Sequence, residues 1–348
     1  MRSLAFISCA ALSIGFIALG APASEAASGY RVSGPFTHEN LSLYFVHGEA
    51  DKGPVPLTLA EALEKHRIRV DETSKVNELA LENLGDEEVF IQAGDIVKGG
   101  KQDRVIGVSL LVPGKSGRIP ISSFCVEQGR WTARGAEAAD RFSSSAQSLS
   151  SRAAKIAILA PAAPASSDIS VARADTSNRQ MKVWEDVART QQKLGDNVGA
   201  PVAASQSRTS LQLALENEKL AEAKAPYLKA LADAAAKEND VVGYVFAVNG
   251  KINSGDVYPS NGLFRKMWAK LLNSSVTEAI GDRNGVAGTP PTTATVLAFL
   301  EEAEKGKASV REVNDMKIET RESPNSLYSE AERPRGGFAH RSYIYRDQ

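Results

Sequence analysis

The chain has 348 residues, 43% of them hydrophobic and 24% charged, with 41 basic side chains against 42 acidic ones. A net charge of −1 and a pI near 6.5 lack the basic excess of a nucleic-acid binder, so no nucleic-acid partner is expected. Two cysteines cannot build a disulfide scaffold or a cysteine-rich zinc module, and His38, His47, His66 and His340 show no metal-binding spacing, so neither a metal nor a cofactor is expected.

The first residues read as a secretory leader. Arg2 is followed by an apolar run from Leu4 to Leu19 and by small residues at Ala21, Ala23, Ala26 and Ala27. The run falls short of the roughly 20 residues a membrane-spanning helix needs, so cleavage near residue 26 and export to the periplasm or beyond are expected, with no stable membrane span left behind. Removing 1–26 takes Arg2 and Glu25 together and leaves the net charge unchanged. The remaining cysteine, Cys125, then has no intramolecular partner. It reads either as a buried small hydrophobe in a strand or as a reactive thiol.

Residues 34–142 read as β-rich with one helix. Leu41 to Val46 alternates like a strand, and Thr58 with Glu61 forms a capping box at the start of a helix through Ala62, Leu63 and His66. Strand-like runs follow at Glu78 to Asn83, Glu88 to Gln92, Arg104 to Val112 and Arg118 to Val126, separated by turn residues. The gaps are too short for crossover helices, which predicts an antiparallel meander and argues against a parallel doubly wound sheet.

From 143 to 178 the composition turns to Ala and Ser with Pro161 and Pro164, which reads as a linker or loosely packed loop. Residues 179–285 read as a helical region with its own hairpin. Helical spacing returns at Met181, Trp184, Val187 and Leu194, and a long helical stretch runs from Ser210 to Lys237, interrupted at Pro226. Val241 to Val248, Asn249-Gly250 and Lys251 to Val257 carry the signature of a hairpin closed by a type I′ turn. In the next helix Leu263, Phe264, Met267, Trp268, Leu271 and Leu272 share a core-facing side. Residues 286–348 read as a helix from Thr293 to Glu304 and a polar tail whose segments Met316 to Thr320 and Phe338 to Tyr345 pair as edge strands. The fold class is therefore α+β: an antiparallel β-rich half with one helix, then a helix-rich half carrying a hairpin.

Two short segments concentrate chemistry. In the first, Lys98, Gly99, Gly100, Lys101, Gln102 and Arg104 combine glycines that let the backbone approach an anion with three positive charges, the make-up of a phosphate or carboxylate cradle. It matches neither the P-loop nor the dinucleotide fingerprint, and a charged β-turn has the same make-up. In the second, Cys125, Glu127, Gln128, Gly129, Arg130 and Trp131 place a thiol, a carboxylate, an amide, a guanidinium and an indole within seven positions. Arg130 can fork onto an anion and Trp131 can stack on a ring, while Glu127 as base and Cys125 as nucleophile are the catalytic options. An ordinary Arg–Glu pair at a strand end accounts for the same residues. No Gly-x-Ser-x-Gly elbow is present.

The strings GDIVKGGKQDRVI, IPISSFCVEQGRW, KVWEDVARTQQKLG and VFAVNGKINSGDVYPSNGLFRKMWAKLL, in that order, resemble the bacterial ARG and Rhodanese-Phosphatase-superfamily-associated Protein domain family. The resemblance runs from about Pro35 to Ile280 and is less clear from Gly285 onward. It implies nucleotide-derived or phosphorylated ligands through the proteins for which the family is named, and it carries no catalytic role over to any residue here.

Three functions follow as expectations. The first is an exported accessory module that binds a small anionic ligand, or a protein partner, at a polar site formed by both segments. The second is a hydrolase or transferase on a phosphate-containing or nucleotide-derived substrate, using Glu127 or Cys125. The third is a structural protein that docks a partner on an exposed apolar stripe of the 210–237 helix.

Overall fold

The computed structural model describes residues 29–346 except 74, 133, 135–140, 162–168 and 237, so the leader read at 1–26 lies outside the described residues. In chain order the first half contains β1 (Arg31–His38), β2 (Leu41–His47), β3 (Leu57–Thr58), α1 (Leu59–Glu64), β4 (Ile68–Glu72), β5 (Glu78–Asn83), β6 (Val89–Ile91), β7 (Asp95–Gly99), β8 (Arg104–Ile106), β9 (Leu110–Val112), β10 (Gly117–Cys125) and β11 (Phe142–Ser148). The helical stretch follows as α2 (Arg152–Leu159), α3 (Ile169–Val198), α4 (Leu211–Leu215) and α5 (Glu218–Leu231). Then come β12 (Val241–Val248), β13 (Lys251–Val257), α6 (Asn261–Gly281), α7 (Thr293–Ala303), β14 (Lys307–Val313), β15 (Met316–Glu322), β16 (Ser326–Glu332) and β17 (Phe338–Tyr345).

An eight-stranded sheet in the order β1-β2-β12-β13-β17-β16-β15-β14 joins both ends of the described chain through the central hairpin. Asn249 and Gly250 both adopt positive φ, 51° and 76°, as the tight turn between β12 and β13 requires. Both faces of the sheet are covered. Leu43, Phe45, Tyr244 and Phe246 point into a core with Phe264, Trp268 and Leu271 of α6. Tyr44, Val245 and Tyr343 point the other way, onto Val296 and Leu300 of α7. Burial on both faces explains why every residue of β2 is buried, although alternation in its sequence suggested one wet side.

The remaining strands form a six-stranded sheet, β11-β7-β8-β10-β5-β4, and a small one, β3-β6-β9. Pairing is antiparallel apart from the parallel β3–β6 contact, but only β4–β5 and β7–β8 pair as sequence neighbours in these two sheets, so the region is not a simple meander. The run 104–112 divides into β8 and β9 in different sheets, because Gly107 donates to the Ser122 carbonyl at 2.8 Å and turns the chain away.

Three further expectations are revised. Within 143–178, residues up to Ser148 belong to β11, and Ser151 caps α2 through its bond to the Ala154 amide. The helix α3 already begins at Ile169. Alanine and serine pack here because small side chains let α2 lie close to α3, with Ala154, Ala157 and Ile158 buried. Secondly, the segments 316–320 and 338–345 are not edge strands paired with each other. β15 lies between β14 and β16, and β17 lies between β13 and β16. Thirdly, the stretch 210–237 is broken into α4, α5 and a 3-10 turn at Ala232–Ala236, and its apolar residues Leu211, Leu215, Leu220, Tyr227 and Leu231 are buried within the chain. That burial removes the exposed stripe on which the third functional expectation rested.

Candidate functional site

Strand register brings the two predicted segments together. β7 and β8 form a hairpin whose loop holds residues 100–103, and β10 pairs with β8 so that Cys125 lies opposite Arg104. Gly99 and Gly100 adopt φ of +124° and +56°, and a Cβ on Gly99 would meet the Arg141 carbonyl oxygen at 2.4 Å. Only glycine fits that approach. Across the gap, Gln102 Nε2 donates to the Glu127 carbonyl at 3.0 Å, and Arg104 Nη1 donates to Gln102 Oε1 at 2.8 Å and to Cys125 Sγ at 2.9 Å.

The charges gathered there satisfy one another. Arg104, Arg130 and Arg134 face Glu72, Asp103 and Glu127. Arg104 Nη2 lies 3.3 Å from Glu72 Oε2, Arg130 Nε 2.7 Å from Glu127 Oε2, and Arg134 Nη1 3.0 Å from Asp103 Oδ2 and 3.2 Å from Glu127 Oε1. Arg130 also donates to the carbonyls of Gly100 and Thr132, at 3.1 and 2.6 Å. Ser210, the N-cap of α4, donates to Asp103 Oδ2 at 2.9 Å and ties the network to the helical half. Lys98 is bound separately by Glu216, at 2.8 Å. Burying three arginines is tolerable because three carboxylates accompany them.

This arrangement decides against the catalytic options. The thiol of Cys125 is fully buried, and burial pushes its pKa up to about 11 against the lowering effect of Arg104, so the thiolate needed of a nucleophile is disfavoured. Both Glu127 oxygens are engaged by Arg130, Arg134 and the Asp103 amide, which leaves no oxygen directed at a substrate proton. No histidine hydrogen-bonds either group among the described residues. What remains outward is a rim. Trp131 is 42% exposed, Gln128 is exposed, and Lys101 is half-buried. The Lys101 ammonium and the Arg104 guanidinium lie 5.5 and 5.6 Å from the Trp131 ring centre, within cation–π range.

Glu72 and Arg134 had no signal in the sequence pattern, since each acquires its role only when distant strands close. A second constellation was equally hidden. Ser109 Oγ lies 2.9 Å from His340 Nδ1, and His340 Nε2 lies 3.1 Å from Asp256 Oδ1, which superficially matches a serine hydrolase relay. Its ring is reversed relative to that template, with the serine on Nδ1, and Ser109 Oγ also accepts the Ala93 N–H at 2.9 Å. The adjoining cavity, lined by Ser109, Arg311, Ser329, His340 and Ser342, measures about 10 Å³. That is the space of a single water and admits no acyl substrate, so the relay serves to fasten the 107–109 turn to β13 and β17.

Among the described residues, one His/carboxylate group has ligand atoms close enough for a metal: His47, Glu238 and Asp240. Arg31 already contacts both carboxylates, at 3.4 and 2.9 Å, and offsets one of their two charges, while Ser33 holds the other His47 nitrogen at 2.8 Å. A groove of about 1050 Å³ bordered by Leu111, Ile119, Met316 and Arg335 contains none of the predicted site residues. Among the described residues no helix is long and apolar enough to cross a membrane.

No curated protein and no solved structure matches the chain. A family model does match, over residues 29–344, so the similarity extends through the C-terminal strands that the sequence strings left out. With nearly its whole length covered, the chain belongs to the ARG and Rhodanese-Phosphatase-superfamily-associated Protein domain family.

Proposed function

We propose that the protein is an exported accessory module that binds a small anion carrying a planar ring, on the rim formed by Lys101, Gln128 and Trp131. The observation that carries this reading is the exposed indole of Trp131, held beside the Lys101 ammonium on top of a buried, charge-balanced network. The network fixes the strand end, so the rim loses little freedom on binding. A ring stacked on Trp131 places an attached phosphate or carboxylate near Lys101, whose ammonium meets no carboxylate among the described residues. Arg104 and Arg130 act beneath it as supports, and Glu127 and Cys125 as parts of the frame. Export is proposed from the Leu4 to Leu19 run and the small residues after it.

A thermal-shift screen of the protein against nucleotides, sugar phosphates and aromatic carboxylates tests the binding. A ligand at 100 times its dissociation constant stabilises the native state by about 2.7 kcal/mol. The expected outcome is a shift produced by a ring-bearing anion and lost in both Trp131→Ala and Lys101→Ala. A shift that survives both substitutions sinks the rim as the site. For export, N-terminal sequencing of the protein recovered from the periplasmic fraction is expected to begin close to residue 27, and a chain still starting at Met1 refutes cleavage.

A further inference from the structure

Far from the Trp131 rim in sequence, three helices enclose a polar pocket of about 200 Å³ that the site above does not use. α2 starts at its edge, α3 contributes Asp186, Arg189 and Lys193, and α6 contributes Glu278 with Asp282 just beyond its last residue. Asp186 is only 6% exposed. Its Oδ2 is buried and meets no hydrogen-bond donor among the described residues. Buried acceptors ordinarily have a donor, so this oxygen marks a place where a donor is missing. Arg189 does not supply it: its Nη1 stands 3.8 Å from the other oxygen, and its side chain is mostly in solvent. Lys193 is committed to Asp282 at 2.6 Å. Glu278 Oε1 accepts the Arg152 amide at 3.0 Å and Asn253 Nδ2 at 3.4 Å.

We propose that this pocket binds a primary ammonium group, whose N–H bonds go to Asp186 Oδ2 and to the carboxylate of Glu278. The lining sets Asp186, Glu278 and Asp282 against Arg152, Arg189 and Lys193, and within that balance the buried acceptor left without a donor is Asp186 Oδ2, which a donor-only ammonium satisfies. A divalent metal fits poorly. Among the described residues, Asp186, Glu278 and Asp282 do not offer three oxygens that all lie within 4.8 Å of one another, whereas His47, Glu238 and Asp240 offer three such ligand atoms elsewhere. An ammonium held by two carboxylates needs only two converging acceptors, since it is a compact charge with separately directed donors.

The carboxyl groups behave accordingly. Burial raises the pKa of Asp186, with Ser151, Arg189 and Lys193 opposing. Glu278 is pushed up to about 7 by burial and then by Asp282, against the Arg152 amide and Lys155, with Asp186 adding to the rise. Near neutral pH the Glu278 carboxyl therefore holds a proton part of the time, and an incoming ammonium expels it.

The test is calorimetric titration of the protein with 1,4-diaminobutane from about pH 6 to 8, with glycerol, guanidinium and calcium as comparison ligands. Diamine affinity is expected to rise with pH by up to tenfold per unit below about 7 and to level off above it. Glu278→Gln is expected to flatten that dependence while the chain stays folded, and Asp186→Asn to abolish binding. Absence of diamine binding to the unmodified protein overturns the proposal, as does a pH slope that persists in Glu278→Gln. Asp186-dependent binding of glycerol, guanidinium or calcium in preference to the diamine overturns it too. Should Asp186→Asn fail to fold, the Glu278→Gln slope alone decides.

Discussion

Replacing Glu127 by Gln tests the claim that the buried cluster is a charge-balanced frame. The side chain is wholly inaccessible; its oxygens accept from Arg134 Nη1 at 3.2 Å and the Asp103 amide at 3.2 Å, and lie 2.7 Å from Arg130 Nε as an ion pair. Glutamine keeps the shape but removes the charge and turns an NH2 group toward a guanidinium. Arg104, Arg130 and Arg134 then face only Glu72 and Asp103. Leaving one buried charge uncompensated costs about 3–5 kcal/mol, and a unit pair at 4 Å in an effective dielectric near 20 is worth about 4 kcal/mol, so two routes give one figure. Against a typical total of about 5–15 kcal/mol this is a severe loss. Urea unfolding is expected to show a large fall in midpoint at unchanged slope. Adding Arg130→Met rebalances the charges, so the double variant is expected to be more stable than the sum of the single losses predicts by about 1–3 kcal/mol. A Glu127→Gln loss below about 1 kcal/mol, or strict additivity with Arg130→Met, would falsify the frame.

Gly99→Ala forces a Cβ to within 2.4 Å of the Arg141 carbonyl oxygen at a φ of +124°, and a loss of about 1–3 kcal/mol is expected in the same urea assay. In a Cys9→Ser background, Cys125 is expected to resist Ellman's reagent near pH 8 until urea unfolds the chain, because burial both seals the thiol and raises its pKa to about 11. Rapid labelling of the native protein would contradict this. Stability against pH carries a third signature. Glu278 has a folded-state pKa of about 7, above its ordinary 4.5, so folding takes up a proton between those values. Stability therefore falls as pH rises through that window, and Glu278→Gln is expected to flatten this part of the urea-midpoint profile.

What the sequence shows and what it hides divide along a physical line. The β12–β13 hairpin is legible because Asn249-Gly250 encodes its turn locally, and the start of α1 is legible because Thr58 and Glu61 cap it within four positions. In the site, Gly99-Gly100 and the proximity of Gln102 to Glu127 follow from one hairpin and one strand register. Glu72 meeting Arg104, Ser210 meeting Asp103 and Ser109 meeting His340 are long-range contacts created by closure, and no local pattern announces them. The same holds for β17. Its polar flanks read as an edge, yet Tyr343 and Ile344 are completely buried because sheet neighbours and α7 surround the strand. Local chemistry also cannot tell whether a charge is offered to a ligand or spent on a neighbour, and Arg104 and Arg130 are spent.

The central position of β17 bears on how the chain is made. Ser254 in β13 waits for Ile344 as its partner, and the eight-stranded sheet stays split until the final strand emerges. Contacts of such sequence separation slow folding, because the loop must close before any of them forms. Until then β13 and β16 each present an unpaired row of backbone groups, the kind of edge that recruits strands from other molecules. A ribosome that stops short of Phe338, or a protease that trims the last strand, therefore does more than shorten the protein. It converts a sealed interior seam into two adhesive borders and turns an incomplete copy into a seed for aggregation.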